Sequence, residues 1–189
     1  MKIKLTLIII AASLFTACAN NTMKAIHTVD YVDLNRFMGD WYVIANIPTF
    51  IETNAYNAIE NYQLNADGTI ATTFTFSDGS ATGEEKRYQP TGFVVDKNSN
   101  ALWDMQFIWP FKAEYRIIYL DEDYQTTIIG RTKRDYVWLM SRNPEMEPEG
   151  LEKAMKFIEQ QGYDLNKVKL VPQIWQLQNA SLNKKSVRI

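Results

Sequence analysis

Ile70-Ala71-Thr72-Thr73-Phe74-Thr75-Phe76, followed by Ser77-Asp78-Gly79-Ser80, is the stretch that decides the fold. Ile70, Thr72, Phe74 and Phe76 recur at every second position, which puts them on one face of a β-strand. Ser-Asp-Gly-Ser then breaks the run with residues that favour a tight turn. The same pattern spreads along the chain. Trp103, Met105 and Phe107 share a face, as do Tyr115, Ile117 and Tyr119, then Tyr136, Trp138 and Met140. Turn signals fall at Asn65–Gly68, Asp96–Asn100, Trp109-Pro110, Asp121–Asp123 and Thr132–Asp135. Most of them lie roughly 10–13 residues apart, close to the spacing of an antiparallel barrel or sandwich.

Counting the runs between turns gives eight strands, from Trp41 to Arg142. Eight hairpin-connected strands close into an all-β, antiparallel up-and-down β-barrel whose interior holds one small ligand. One segment departs from this pattern. Leu151, Ala154, Met155 and Ile158 recur at helical spacing, with Pro148 and Glu149 at the start and Gly162 at the end. Those boundaries predict one C-terminal α-helix, and its single apolar stripe predicts packing on the outside of the barrel. Val168–Val171 reads as a short ninth strand at an edge, and Asp33 as the cap of a short turn through Phe37.

The chain starts differently. Lys2 and Lys4 precede an apolar run, Leu5–Ile10, and small residues lead to Cys18. This is the layout of a secretory signal, too short to span a bilayer permanently. Leu14-Phe15-Thr16-Ala17-Cys18 resembles a bacterial lipobox, with Phe15 where Leu is usual. Cys18, the only cysteine, is then the acylated new N-terminus, and the barrel has no internal disulfide. Ala19 rather than Asp after the cysteine resembles the pattern of outer-membrane lipoproteins. The expected organisation is a signal peptide at 1–17, a lipidated tether at 18–30, a barrel with its helix at 31–178 and a polar tail at 179–189.

Composition narrows the function. A formal net charge of −2 leaves no basic footprint for nucleic acid. His27 is the only histidine and precedes the barrel, so a Ser/His arrangement and a His-based metal site are both lacking. Carboxylate pairs such as Glu84-Glu85 read as solvated. No catalytic residue, metal or cofactor is assigned. The alternating aromatics suit a cavity instead. With Trp41 inward, parity puts Val43, Ala45 and Ile47 on its face. By similar reasoning Phe74, Phe76, Met105, Phe107, Tyr115, Ile117, Tyr119, Tyr136, Trp138 and Met140 face in. These side chains either line a cavity or meet and fill the interior.

Gly39-Asp40-Trp41-Tyr42, at the start of the first strand, resembles the Gly-x-Trp motif of the lipocalins. Asp123-Tyr124, between the sixth and seventh strands, resembles a second family motif, with Glu122 where the family has Thr. Arg142 ends the eighth strand, where the family places its motif arginine. Phe37–Ala45, Trp109-Pro110-Phe111, Arg134–Arg142 and Gln161–Asp164 are similar to the bacterial outer-membrane lipocalins and their apolipoprotein D-like relatives. The resemblance spans about Tyr31 to Gln173. It implies that the three motifs meet at a closed base, with the guanidinium of Arg142 flat on the Trp41 indole. These residues are structural. The resemblance further implies binding of a fatty acid, lysophospholipid or phospholipid for storage, transport or membrane maintenance, without catalysis, and it admits a homodimer. Two other readings stay open: an interaction module working through Phe50, Ile51, Trp109 and Phe111 at the barrel rim, and carriage of a haem or pigment.

Overall fold

The computed structural model describes residues 25–175. The expected signal, Cys18 and the tail at 179–189 lie outside the described residues. Asp33 caps a single helical turn, α1 (Leu34–Phe37), its carboxylate accepting from the amides of Asn35 and Arg36. Nine strands follow: β1 (Gly39–Ile47), β2 (Ala55–Leu64), β3 (Thr69–Asp78), β4 (Glu84–Tyr88), β5 (Thr91–Val94), β6 (Leu102–Ile108), β7 (Phe111–Leu120), β8 (Thr126–Gly130) and β9 (Val137–Ser141). Both β4 and β5 pair with β3, at Phe74↔Tyr88 and Ile70↔Gly92, so they share one place in the barrel. The break between them falls at Gln89-Pro90, where proline lacks the N–H a ladder needs. Counted this way the barrel has the eight strand positions that the turn spacing predicts. All pairings are antiparallel, and β9 pairs with β1 to close the circle.

Helix α2 (Pro148–Gln160) starts on proline and is followed by Gly162, whose φ of +88° a side chain would strain. Ala154 and Ile158 bury their side chains against the outer face of the barrel. A short strand, β10 (Lys169–Leu170), then pairs with β1 at Ala45↔Leu170. The expected helix and edge strand are therefore both present, outside the barrel wall.

Of the register shifts in the sheet, two reverse faces that parity assigns. In β1 the register against β9 shifts between Val43 and Ala45. A bulge inserts one residue, and every side chain beyond it changes face. Trp41 and Val43 belong to the inner cluster, whereas Ile44, Ala45 and Ile47 join the cluster beneath α2. The parity that put Ala45 and Ile47 inside is thus corrected: both face outward. A second shift, between Ile117 and Tyr119 in β7, acts the same way. Ile117 stays in the inner cluster, but Tyr119 lies outside with its ring 5.3 Å from that of Phe157 on α2. Each bulge widens the outer apolar shelf that the helix covers.

The candidate ligand cavity

The closed end is built from motif residues. The guanidinium carbon of Arg142 sits 3.8 Å over the Trp41 ring. Its nitrogens donate to the carbonyls of Asp40 (2.6 Å), Arg36 (2.9 Å), Phe37 (3.0 Å) and Met38 (2.8 Å). Three of these carbonyls are the free C-terminal acceptors of α1 and its cap, so one side chain satisfies the end of a helix. The Trp41 indole N–H donates to the Phe37 carbonyl at 2.8 Å. Gly39 holds φ +92°, and a Cβ there would come within 3.4 Å of the Arg142 fork.

Asp123-Tyr124 joins the same end. The Tyr124 hydroxyl accepts from the Asp33 amide at 2.9 Å, and Arg36 lies over its ring. Glu122 contributes only its carbonyl, to Arg36. The turn is held by Asp121, whose carboxylate accepts from the Gln125 amide at 2.6 Å.

Above the plug lies an aromatic floor. Phe37, Trp41, Tyr62, Trp103 and Tyr115 pack with ring centroids 5.1–6.3 Å apart. The hydroxyls of Tyr62 and Tyr115 hydrogen-bond each other at 2.6 Å. Burial pushes both phenols well above their ordinary range, so they remain protonated. Over this floor opens a cavity of about 410 Å³, within the size range of small-molecule sites.

Seven of the thirteen side chains that parity turns inward border the cavity: Phe74, Met105, Phe107, Tyr115, Tyr136, Trp138 and Met140. Val43, Phe76 and Ile117 are buried in the inner cluster but do not reach the cavity wall. Phe76 spends its surface on Phe74 and Tyr88, with centroids 5.2 and 6.2 Å away. Ala45 is on the other side of the wall, for the reason given by the β1 bulge.

Three acids line the cavity that reading for apolar residues missed, Glu52, Glu60 and Glu114, the last paired with Arg116 and accepting from the Thr132 amide. Glu52 folds back from the β1–β2 loop, accepting from the Thr49 amide (3.1 Å) and hydroxyl (3.0 Å) and from the Trp138 indole (3.2 Å). Burial raises its pKa, and those hydrogen bonds only partly offset the rise. Glu60 stands between Trp41 and Phe74 in the ladder. Burial and then the charge of Glu52 push its carboxyl well above the usual range. The signal was in the sequence: Ala58, Glu60 and Tyr62 are in phase, and the outer two are ordinary inward residues.

The open end is apolar and exposed. Phe50 (87 %), Trp109 (82 %) and Phe111 (76 %) project from the β1–β2 and β6–β7 loops. Lys112 and Arg131 also border the cavity, with Lys112 lying 3.8 Å over the Phe93 ring and Arg131 paired with Asp135 at 3.2 Å. Among the described residues no group of three or more His, Cys, Asp or Glu side chains is placed to hold a metal ion.

An eight-position barrel plugged by Gly-x-Trp and Arg matches known proteins along most of its length. The profile of the lipocalin-like domain covers residues 32–173. The chain belongs to this lipocalin family. Temperature-induced lipocalin-1 of Arabidopsis thaliana is 30% identical over 159 residues, covering 79% of this chain and 84% of that protein. The outer membrane lipoprotein Blc of Citrobacter freundii is 29% identical over 167 residues, 86% of this chain and 92% of the relative. Among solved structures, insecticyanin of the tobacco hornworm Manduca sexta superposes with a TM-score of 0.63 at 14% identity, covering 80% of this chain and 86% of that one. At that identity the likeness shows the fold alone. Family and cavity together support binding of a small hydrophobic ligand by this lipocalin.

Proposed function

We propose that the barrel holds the acyl chain of an amphiphile (a fatty acid, lysophospholipid or phospholipid) with its head group at the mouth, and that it catalyses nothing. The observation that carries this reading is the 410 Å³ cavity walled by Phe74, Met105, Tyr136, Trp138 and Met140. Apolar walls stabilise an alkyl chain by about 25 cal/mol for each Å² removed from water. Lys112 and Arg131 at the mouth suit a phosphate or carboxylate, which remains partly solvated there. The lipobox-like Leu14–Cys18 and the resemblance to an outer membrane lipoprotein support attachment to the bacterial outer membrane through Cys18. An anchored barrel hands lipid over within reach of its tether, which suits storage or membrane maintenance.

Native mass spectrometry of the Cys18→Ser protein, with and without added lysophospholipid, tests the reading. A retained or acquired amphiphile that is lost in still-folded Trp138→Glu or Phe74→Glu supports it. Absence of any bound species before and after addition overturns it.

The exposed Phe50, Trp109 and Phe111 favour a second reading, in which the rim itself is the contact surface, for a partner protein or a second copy of the chain. Sedimentation analysis distinguishes the two: a rim-mediated dimer dissociates in Trp109→Ser/Phe111→Ser while ligand uptake persists.

A further inference from the structure

Glu60 is a carboxyl group that borders an apolar cavity and has no hydrogen-bond partner among the described residues. It is half-buried and faces the cavity from β2, between Trp41 on β1 and Phe74 on β3. Among the described residues nothing hydrogen-bonds to it, and the only charge acting on it is another acid, Glu52. Of the polar groups nearby, the Thr72 hydroxyl on the inward face of β3 has no hydrogen-bond partner among the described residues, while the others are engaged. Glu52 accepts from Thr49 and Trp138, and the Tyr62 and Tyr115 hydroxyls bond each other. Arg142 is committed to backbone carbonyls on the base side of Trp41.

A half-buried carboxyl that faces an apolar cavity is served by water in the empty cavity, and a ligand that displaces this water must replace its hydrogen bonds or leave the group unsatisfied. Glu60 faces the floor: one step of the inward face further along β2 is Tyr62, part of the aromatic plug. The cavity therefore differs at its two ends: Lys112, Arg131 and Glu114 border it at the mouth, Arg131 paired with Asp135, while the acceptor at depth has no cation beside it. An alkyl chain ending in a methyl group leaves Glu60 unsatisfied, and a carboxylate or phosphate driven to that depth would meet two acids and no cation.

We propose that Glu60 is a specificity-determining residue, and that the preferred ligand carries a hydrogen-bond donor, an amine or a hydroxyl, at its buried end. This rests on the cavity reading above and narrows it. A hydroxyl donates to the Glu60 carboxyl, while an ammonium takes its place beside the ionised form as a charge-assisted hydrogen bond. A ligand bearing an anionic head at Lys112 and Arg131 and a hydroxyl or amine far down its chain satisfies both ends.

The test is displacement of the fluorescent probe N-phenylnaphthylamine from the full-length protein by dodecylamine, dodecanol and dodecanoate. Dodecylamine and dodecanol should each compete at least about tenfold better than dodecanoate. In Glu60→Leu that advantage should collapse to within about threefold, through weaker binding of the two donors. Glu60→Gln, which keeps the shape and an acceptor, should retain the dodecanol advantage and lose much of that of dodecylamine. Circular dichroism of each variant verifies the fold. Equal competition by all three chains in the natural protein overturns the proposal and leaves the cavity reading standing, as does a donor preference that survives in Glu60→Leu. If the probe binds nowhere and no chain is taken up, both fall together.

Discussion

Replacing Arg142 by Met should unfold the base of the barrel before anything else. The side chain donates to the carbonyls of Arg36, Phe37, Met38 and Asp40 and stacks on Trp41. Hydrogen bonds from a charged donor contribute about 1.5–3 kcal/mol each, and the stack about 0.5–2 kcal/mol. They share one guanidinium, which is half-exposed, and freed carbonyls at the base regain some water. The contributions therefore do not add, and a loss of about 3–5 kcal/mol is expected. For a chain of this size each kcal/mol shifts Tm by about 2–4 °C, so Tm should fall by roughly 6–20 °C. Lysine keeps the charge but not the fork, and Arg142→Lys should recover less than half of the loss. Thermal and urea unfolding, followed by tryptophan fluorescence and circular dichroism, provide the assay. A loss under about 1 kcal/mol for Arg142→Met, or full stability in Arg142→Lys, would refute the argument that fork geometry holds the base.

Other perturbations separate the layers of the molecule. Glu60 has a folded pKa above its unfolded value, so the native state holds the proton more firmly. Its stability contribution is most favourable below the unfolded pKa and is lost as pH rises from there through the folded pKa. Glu60→Met should accordingly gain on the natural protein as pH rises, by about 1–3 kcal/mol at neutral pH, in urea titrations across the pH range; a constant difference at all pH values would contradict this. Ala45→Leu should cost about 1–3 kcal/mol by overpacking the shelf beneath α2 while ligand uptake is unchanged, and lost uptake at full stability would mean that Ala45 faces the cavity after all. Ile158→Ala should cost about 2–5 kcal/mol in unfolding experiments, again without altering uptake.

How much of this was legible in the sequence depends on the element. The eight strand positions, the helix and the base could be read because alternation, helix boundary residues and the Gly39, Trp41 and Arg142 motif act locally. What parity lost was face assignment beyond a bulge. Ile44-Ala45 and Ile117-Ile118 are apolar on both faces, so one inserted residue leaves no mark in the pattern, yet it reverses Ala45 and Tyr119. Depth was a second gap. Phe76 and Val43 face inward as parity requires, but whether an inward side chain meets ligand or another side chain depends on neighbours several strands away. Glu60 escaped notice for another reason: an acid on an inward face contradicts the usual hydrophobic pattern, and such contradictions gather where function sets the residue.

The seam where β1 meets β9 has a bearing on how the protein is made. The pair Val43↔Met140 and the Arg142–Asp40 hydrogen bond, 102 residues apart in sequence, join the first and last barrel strands. A chain synthesised from its N-terminus displays an open sheet edge and a bare Trp41 until nearly all of it has followed. Closure of such distant partners is slow compared with local hairpin formation. Helix α2 then lands across that seam, its Ala154 and Ile158 in one cluster with Ile44 and Ala45 of β1 and Val137 and Leu139 of β9. The last large element to arrive is thus a latch over the join, and a nascent barrel lacking it would leave the apolar outer side chains of that seam, Ile44 and Leu139 among them, uncovered.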